Sequence, residues 1–157
     1  MGVRRVAFTV IGVAQPQGSA RAYVPFKWAK LAVRKGQSPR PLVVHDNPKV
    51  KHWRDQIARE AYPVVNGTPF SGAVVLTVTF TLPRPKRHAN KCRHHVTRPD
   101  LDKLVRAVGD ALSGVVFRDD GQIVDVRASK AYSDGIHPPS VAIVVEDAPM
   151  PEGALYD

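Results

Sequence analysis

The chain has one cysteine, Cys92, so no internal disulfide framework is possible, which fits a reducing compartment. No stretch approaches the ~18 consecutive apolar residues that a membrane span needs. The opening MGVRRVAFTVIGV pairs two arginines with an apolar segment, as a leader would. That segment is short, alternates partly with polar residues and lacks a small-residue cleavage site. These absences point to a soluble intracellular protein, in the cytoplasm. There is no internal repeat and no low-complexity tract. Acids are also scarce, 14 Asp and Glu against 23 Lys and Arg in 157 residues, for a net charge of +9. So basic a domain suits a polyanion such as nucleic acid, and charge alone leaves ribosomal, nucleoid and nuclease roles open.

The few acids are not spread evenly. Asp100, Asp102, Asp110, Asp119, Asp120 and Asp125 all fall within RPDLDKLVRAVGDALSGVVFRDDGQIVD, residues 98–125. Carboxylate oxygens are hard ligands that suit Mg²⁺, which takes one or two of them and completes its shell with water and substrate phosphate. Gathered carboxylates in a basic chain suggest metal-assisted phosphodiester hydrolysis.

The spacing sharpens this reading. Leu101, Leu104, Val105, Val108, Ala111 and Leu112 recur with helical period, and Ser113-Gly114 supplies a stop. Residues two apart in a helix point to nearly opposite sides, so Asp100 and Asp102 share a ligand only if Asp100 lies at or before the N-cap. Pro99 favours such a start. The helix N-terminus adds partial positive charge that helps hold carboxylate and phosphate. Asp119-Asp120-Gly121 then reads as a turn into a strand, and is expected to return a third carboxylate to the helix start. Each of these acids alone has an ordinary reading as a cap or a turn residue; the combination in a basic surround does not.

The runs DLDKLVRAVGDAL and FRDDGQIVD resemble the RusA family of Holliday junction resolvases, whose members carry D-L-D-N-L-x-K-x-x-x-D-A-L followed by D-D-x-Q-V/I-x-D. The resemblance covers residues 98–130 well and the flanks more loosely. It implies that Asp100, Asp102 and Asp120 are the catalytic, metal-binding aspartates, with Asp119 completing the Asp-Asp pair. It further implies a homodimer that uses Mg²⁺, or Mn²⁺ in its place, to cut four-way DNA junctions by paired symmetric nicks in recombination and repair. Two positions depart from the pattern. Lys103 stands where Asn is usual, and Arg106 where a functionally important Lys is usual; Arg keeps the charge but not the compact ammonium. Arg106 is taken with the aspartates as catalytic.

Elsewhere, residues 3–13 read as a first strand. Residues 15–46 form a long irregular stretch with a short helix possible around WAKLAVRK. There Arg21, Lys27, Lys30, Arg34, Lys35 and Arg40 interleave with Tyr23, Phe26 and Trp28. Such alternation either grips unstacked nucleic acid or merely anchors a basic loop to the core. Asn47-Pro48 starts a helix with Val50, Trp53, Ile57 and Ala61 on one face, running to about Tyr62 before Pro63 begins a turn. Residues 73–82 alternate as a strand with Thr77, Thr79 and Thr81 on its more polar face. Between Arg84 and Arg98 stand six Lys or Arg, three His and no acid. Arg84, Lys86, Arg87, Lys91, Arg93 and Arg98, with Lys103, are the expected DNA contacts beside the acids. Cys92, His88, His94 and His95 fit no standard zinc spacing and are read as DNA-facing. Strands over 122–130 and near 140–146 follow, the second with an apolar run, Val141–Val145, expected to be buried on both faces.

The elements order as β-α-β-α-β-β, an α+β fold in which a small mixed β-sheet is covered by two main helices. Residues 1–147 are read as one RusA-like nuclease domain and 148–157 as a mobile tail. Two other functions compete: a flap or branched-DNA nuclease using the same residues, and a non-catalytic junction-binding protein. No small-molecule cofactor and no membrane partner is expected.

Overall fold

The computed structural model describes residues 3–18, 20–45, 47–86 and 94–150. In chain order the elements are β1 (Arg5–Ile11), β2 (Ala20–Tyr23), α1 (Phe26–Arg34), β3 (Leu42–His45), α2 (Lys49–Val65), β4 (Val74–Leu82), α3 (Leu101–Leu112), a 3₁₀ turn (Asp120–Gln122), β5 (Ile123–Tyr132) and β6 (Ser140–Asp147). Four strands form one mixed sheet in the order β1-β6-β4-β5. The β1–β6 and β4–β6 pairs are antiparallel, whereas β4 and β5 run parallel. A parallel pair needs a crossover between its strands, and α3 is that crossover. The fold is thus the expected α+β arrangement, with a second small sheet of β2 and β3.

One face of the main sheet is covered. Trp53, Ile57, Ala61 and Val65 of α2 and Leu104, Val108 and Leu112 of α3 join Leu76, Val78, Phe80, Val141, Ile143 and Val145 in a single core. Each Val, Leu, Ile and Phe among them contributes roughly 1.5–3 kcal/mol by leaving water. On β4 the polar face runs through Thr77, Thr79 and Thr81 as the alternation requires. The apolar run in β6 differs from expectation: Val141, Ile143 and Val145 are buried, but Ala142 is exposed and Val144 only partly covered. Helices pack on one side only, so an all-apolar run cannot be enclosed on both.

Local signals set most boundaries. Asn47 Oδ1 accepts from the Lys49 amide at 3.1 Å and opens α2. The helix then continues past Tyr62 and Pro63 to Val65. Proline removes one intrahelical bond, yet Val65 is buried in the core at the end of the same turn, and that burial carries the helix through. Asn66 ends it in the left-handed region at φ 52°. The stretch between β1 and α2 is more ordered than composition suggests, because β2 and β3 pair antiparallel around α1. Between β5 and β6, Asp134 closes a turn. Its carboxylate is held at about 2, chiefly by the His137 backbone amide, then by the His137 ring and the Ile136 amide.

Gly12 follows β1 with φ +148°, and a Cβ there would lie 2.9 Å from Trp53 Cζ3. Its amide also donates to the Pro139 carbonyl at 2.8 Å, so the backbone cannot move away freely. Gly12→Ala should therefore lower stability by ~2 kcal/mol, through the backbone conformation and overpacking against a core indole. A urea unfolding midpoint measures it; an unchanged midpoint would mean the Trp53 ring yields without cost.

Candidate active site

Asp100 is the N-cap of α3, with extended backbone (φ −71°, ψ 138°), and Asp102 lies in the first helical turn. This is the arrangement in which two carboxylates spaced i, i+2 can approach a common ion. Two interactions hold the helix entrance. Lys130 of β5 donates its ammonium to the carbonyls of Thr97 and Pro99, each at 2.8 Å, and so fixes the segment that delivers Asp100. The Gln17 amide donates to the Lys103 carbonyl at 2.9 Å, tying the segment after β1 to the first turn of α3. The Arg98–Pro99 bond in this segment is cis. Sequence reasoning missed both Lys130 and Gln17, since only tertiary placement brings them to the helix start.

An open cleft of about 640 Å³ lies at this entrance, its walls including Gln17, Asn47, Arg98, Pro99, Asp100 and Lys103. Asp100 is half-exposed and pairs with Lys103 at 3.5 Å. Asp102 is exposed and has no hydrogen-bond or ion-pair partner among the described residues. Arg106 follows Asp102 by one helical turn on the same side of α3 and is also exposed. Gln17 is buried, and its Oε1 has no hydrogen-bond partner among the described residues. The donor set is therefore one of hard oxygens, two of them carboxylate, with cations close by. That is the chemistry a hydrated divalent ion and a phosphate would use.

The other acids divide by role. Asp119 caps the 3₁₀ turn: its Oδ1 accepts from the Gly121 amide at 2.8 Å, and Gln122 Oε1 accepts in return from the amide of Asp119 at 3.2 Å. Asp110 pairs with Arg54 of α2 at 3.3 Å, and Asp125 with its neighbour Arg127 at 3.3 Å. Asp120 keeps an exposed carboxylate with no partner among the described residues.

Asp120 does not return to the helix start within one chain. Lys130, at the far end of β5, touches the segment before Asp100, whereas Ile123, at the near end, lies 3.8 Å from where a Gly109 Cβ would be. α3 and β5 therefore run in opposite directions. The level of Asp100 is separated from that of Gly109 by ~13 Å of helix rise, and Asp120 precedes Ile123. Accordingly, among the described residues no three His, Cys, Asp or Glu side chains are grouped to hold a metal.

Of the expected DNA contacts, Arg98 and Lys103 line the cleft and Lys86 is exposed. Arg84 lies over the Tyr132 ring at 4.6 Å. Arg87, Lys91 and Arg93 lie outside the described residues, as do His88, Cys92 and the tail from residue 151. His95 corrects an expectation: it does not face DNA but is buried, its ring 4.5 Å from that of Tyr132. Sequence placed it in a hydrophilic loop; the aromatic end of β5 gives it a partner.

Compared with known families, residues 15–146 match the one described as Endodeoxyribonuclease RusA. The chain belongs to the RusA endodeoxyribonuclease family. It is also 28% identical over 152 residues to the uncharacterized protein YqaN of Bacillus subtilis (strain 168), a match covering 90% of this chain and 96% of that one. Family membership makes this RusA protein a nuclease with DNA as its partner. No helix among the described residues is long and apolar enough to cross a membrane.

Two outcomes test how the site is held. Lys130→Met removes two charge-assisted bonds, partly screened by solvent. It should cost ~1–2 kcal/mol and speed hydrogen exchange at residues 100–104; unchanged exchange there would separate Lys130 from the helix entrance. His95 is depressed below its ordinary 6.5, first by burial and then by the Lys130 charge, against weaker backbone hydrogen bonding. The unfolded chain then takes up a proton before the folded one does. Stability should be full above pH ~6.5 and fall as pH drops below it. His95→Phe should flatten that part of the stability profile while keeping a ring against Tyr132.

Proposed function

We propose that the protein is a homodimeric, Mg²⁺-dependent endonuclease that resolves four-way DNA junctions by paired, symmetric nicks. The observation that carries this reading is the helix entrance. Asp100 and the unpartnered Asp102 stand in and beside an open cleft with Arg98 and Lys103, in a chain of the RusA endodeoxyribonuclease family.

A dimer supplies what one chain lacks. β5 lies at the edge of the sheet, and Val124 and Val126 on it are 62% and 45% exposed. A ten-residue edge strand with uncovered valines invites pairing. A twofold axis through such a pair sets β5 antiparallel to its copy, so the start of one strand meets the end of the other. Asp120 immediately precedes the start, and the end abuts the segment that leads into Asp100. Each site would then combine Asp100 and Asp102 of one chain with the partner's Asp120. The two resulting sites are related by the symmetry that opposed nicks in a four-way junction require.

In this reading the three carboxylates hold Mg²⁺, or Mn²⁺ in its place, which when bound lowers the pKa of a coordinated water and offsets charge on the leaving oxygen. The carboxylates also orient the water in line with the phosphorus. Arg106 and Lys103 offset negative charge developing on the phosphate. Arg84, Lys86 and Arg98 hold the flanking backbone, so binding weakens steeply with salt.

An end-labelled mobile junction, with and without Mg²⁺, tests the function. Paired nicks that need Mg²⁺ and spare matched linear duplex are expected. Asp102→Asn and Asp120→Asn should each lose more than ~100-fold, since even outer-shell changes at metal sites cost 10–100-fold. Co-refolding the two inactive variants should restore single nicks. Half the dimers are mixed and each mixed dimer holds one intact site, about a quarter of the wild-type sites. No recovery would place all three aspartates in one chain. Junction binding without cleavage would instead favour a non-catalytic junction-binding protein, and preferential cutting of flaps a different branched substrate.

A further inference from the structure

Between β1 and α2 the chain leaves the main sheet as an arm of β2, α1 and β3. Among the described residues the two strands pair only with each other, and α1 buries no residue at all. Phe26 is 75% exposed and Trp28 54%. Nine helical residues that bury nothing gain little from packing and are marginal in water alone. These aromatics are therefore not anchors to the core, and their apolar area is left for something else.

Charge says what that is. Arg21, Lys27, Lys30, Arg34, Lys35 and Arg40 all lie in the arm, and no Asp or Glu occurs in the chain before Asp46. The arm carries only positive charge, so an acidic partner is favoured. Between α1 and the segment after it lies an open cleft of about 710 Å³, whose walls include Trp28, Leu31, Lys35 and Arg40. That is within the size range of ligand clefts, and its walls are both apolar and cationic. Lys30 Nζ sits 5.0 Å from the Phe26 ring centroid, which places a cation beside one of the exposed rings.

Position adds the second argument. Pro16, Gln17, Gly18 and Asn47, at the two roots of the arm, line the same cleft as Asp100 and Lys103. The roots are tied by the bond from Asn47 Nδ2 to the Pro16 carbonyl at 3.0 Å, and to α3 by the one from the Gln17 amide to the Lys103 carbonyl. A polyanion seated at Asp100 thus passes the base of the arm.

We propose that the arm binds unpaired nucleotides flanking the candidate active site, with Trp28 stacking on an unstacked base and Lys27, Lys30, Lys35 and Arg40 contacting phosphates. This rests on the reading of the chain as a branched-DNA nuclease. The opening of a junction at its branch point supplies such bases. Aromatic stacking is tolerant of base identity, so the arm reads structure and not sequence.

The test uses the full-length protein in EDTA, so that cleavage plays no part. Binding of a labelled oligothymidine, a junction with unpaired bases at the branch point and a matched linear duplex is measured by anisotropy. Trp28→Ala should weaken the first two about tenfold and change duplex binding less than twofold, and Trp28→Phe should retain most of the affinity. Oligothymidine should also quench the emission of the wild type, through Trp28 and not the buried Trp53. Because Trp28 takes no part in the core, Trp28→Ala should melt with the wild type. If it does not, Trp28→Phe and the quenching experiment decide. The proposal is overturned if Trp28→Ala binds all three DNAs within twofold of wild type, or if duplex affinity falls equally. It is also overturned if the substitution alters only the oligomeric state in sedimentation, or only binding to anionic vesicles. Wild-type protein that fails to nick junctions while this DNA binding holds would refute the nuclease reading and leave the arm's role standing.

Discussion

Because β4 and β5 run parallel, the chain leaving β4 must travel back along the sheet before it can enter β5, and α3 makes that return. The placement of Asp100, Asp102 and Asp120 follows from this. Asp100 and Asp102 belong to the helix start, beside the end of β5, where Lys130 holds the carbonyls before Asp100. Asp120 belongs to the strand start, a helix length away. A crossover helix and the strand it feeds are antiparallel, so residues at their two starts cannot meet in one chain. Only a second copy, or an arrangement unlike this one, brings them together.

The electrostatics follow the same division. Acids with structural work are paired or capped: Asp110 with Arg54 between the two helices, Asp119 within its own turn, Asp134 with the amides and ring of its loop. Among the described residues, Asp102 and Asp120 are left without partners, in a chain that carries nine more positive than negative charges. Their carboxylates stay accessible to solvent. The Lys103–Asp100 contact is the exception; at 3.5 Å and half-exposed it is a loose pair that an incoming ion could displace at little cost.

Most of the main sheet and both core helices were legible because each rests on a local periodicity. The spacing of Leu101, Leu104, Val108 and Leu112 predicts α3 with its observed ends, and the threonine alternation predicts β4 and its polar face. The failures share a cause. α2 runs past Pro63 because Val65 finds a place in the core. The run in β6 is half-covered because, among the described residues, the helices of the core lie on one face of the sheet. His95 is buried because Tyr132, 37 residues later, stacks on it. Each depends on contacts distant in sequence, which neither period nor propensity records.

The sequence by itself determined the chemistry available: a basic chain, hard oxygen ligands in Asp-x-Asp at a helix start, and an Asp-Asp turn ahead of a strand. These are local features, written in residue type and spacing, and they suffice to recognise the family. Tertiary structure decided which of those groups are free and which can act together. It spent Asp119 on a cap and left Asp120 exposed. It separated Asp120 from Asp100 and Asp102 by the length of a crossover helix. It also held Phe26 and Trp28 away from the core, settling for the solvent side a question that composition left open. Whether a side chain is partnered, covered or within reach of another depends on where the chain returns in space, and that is fixed by the packing of the whole sheet.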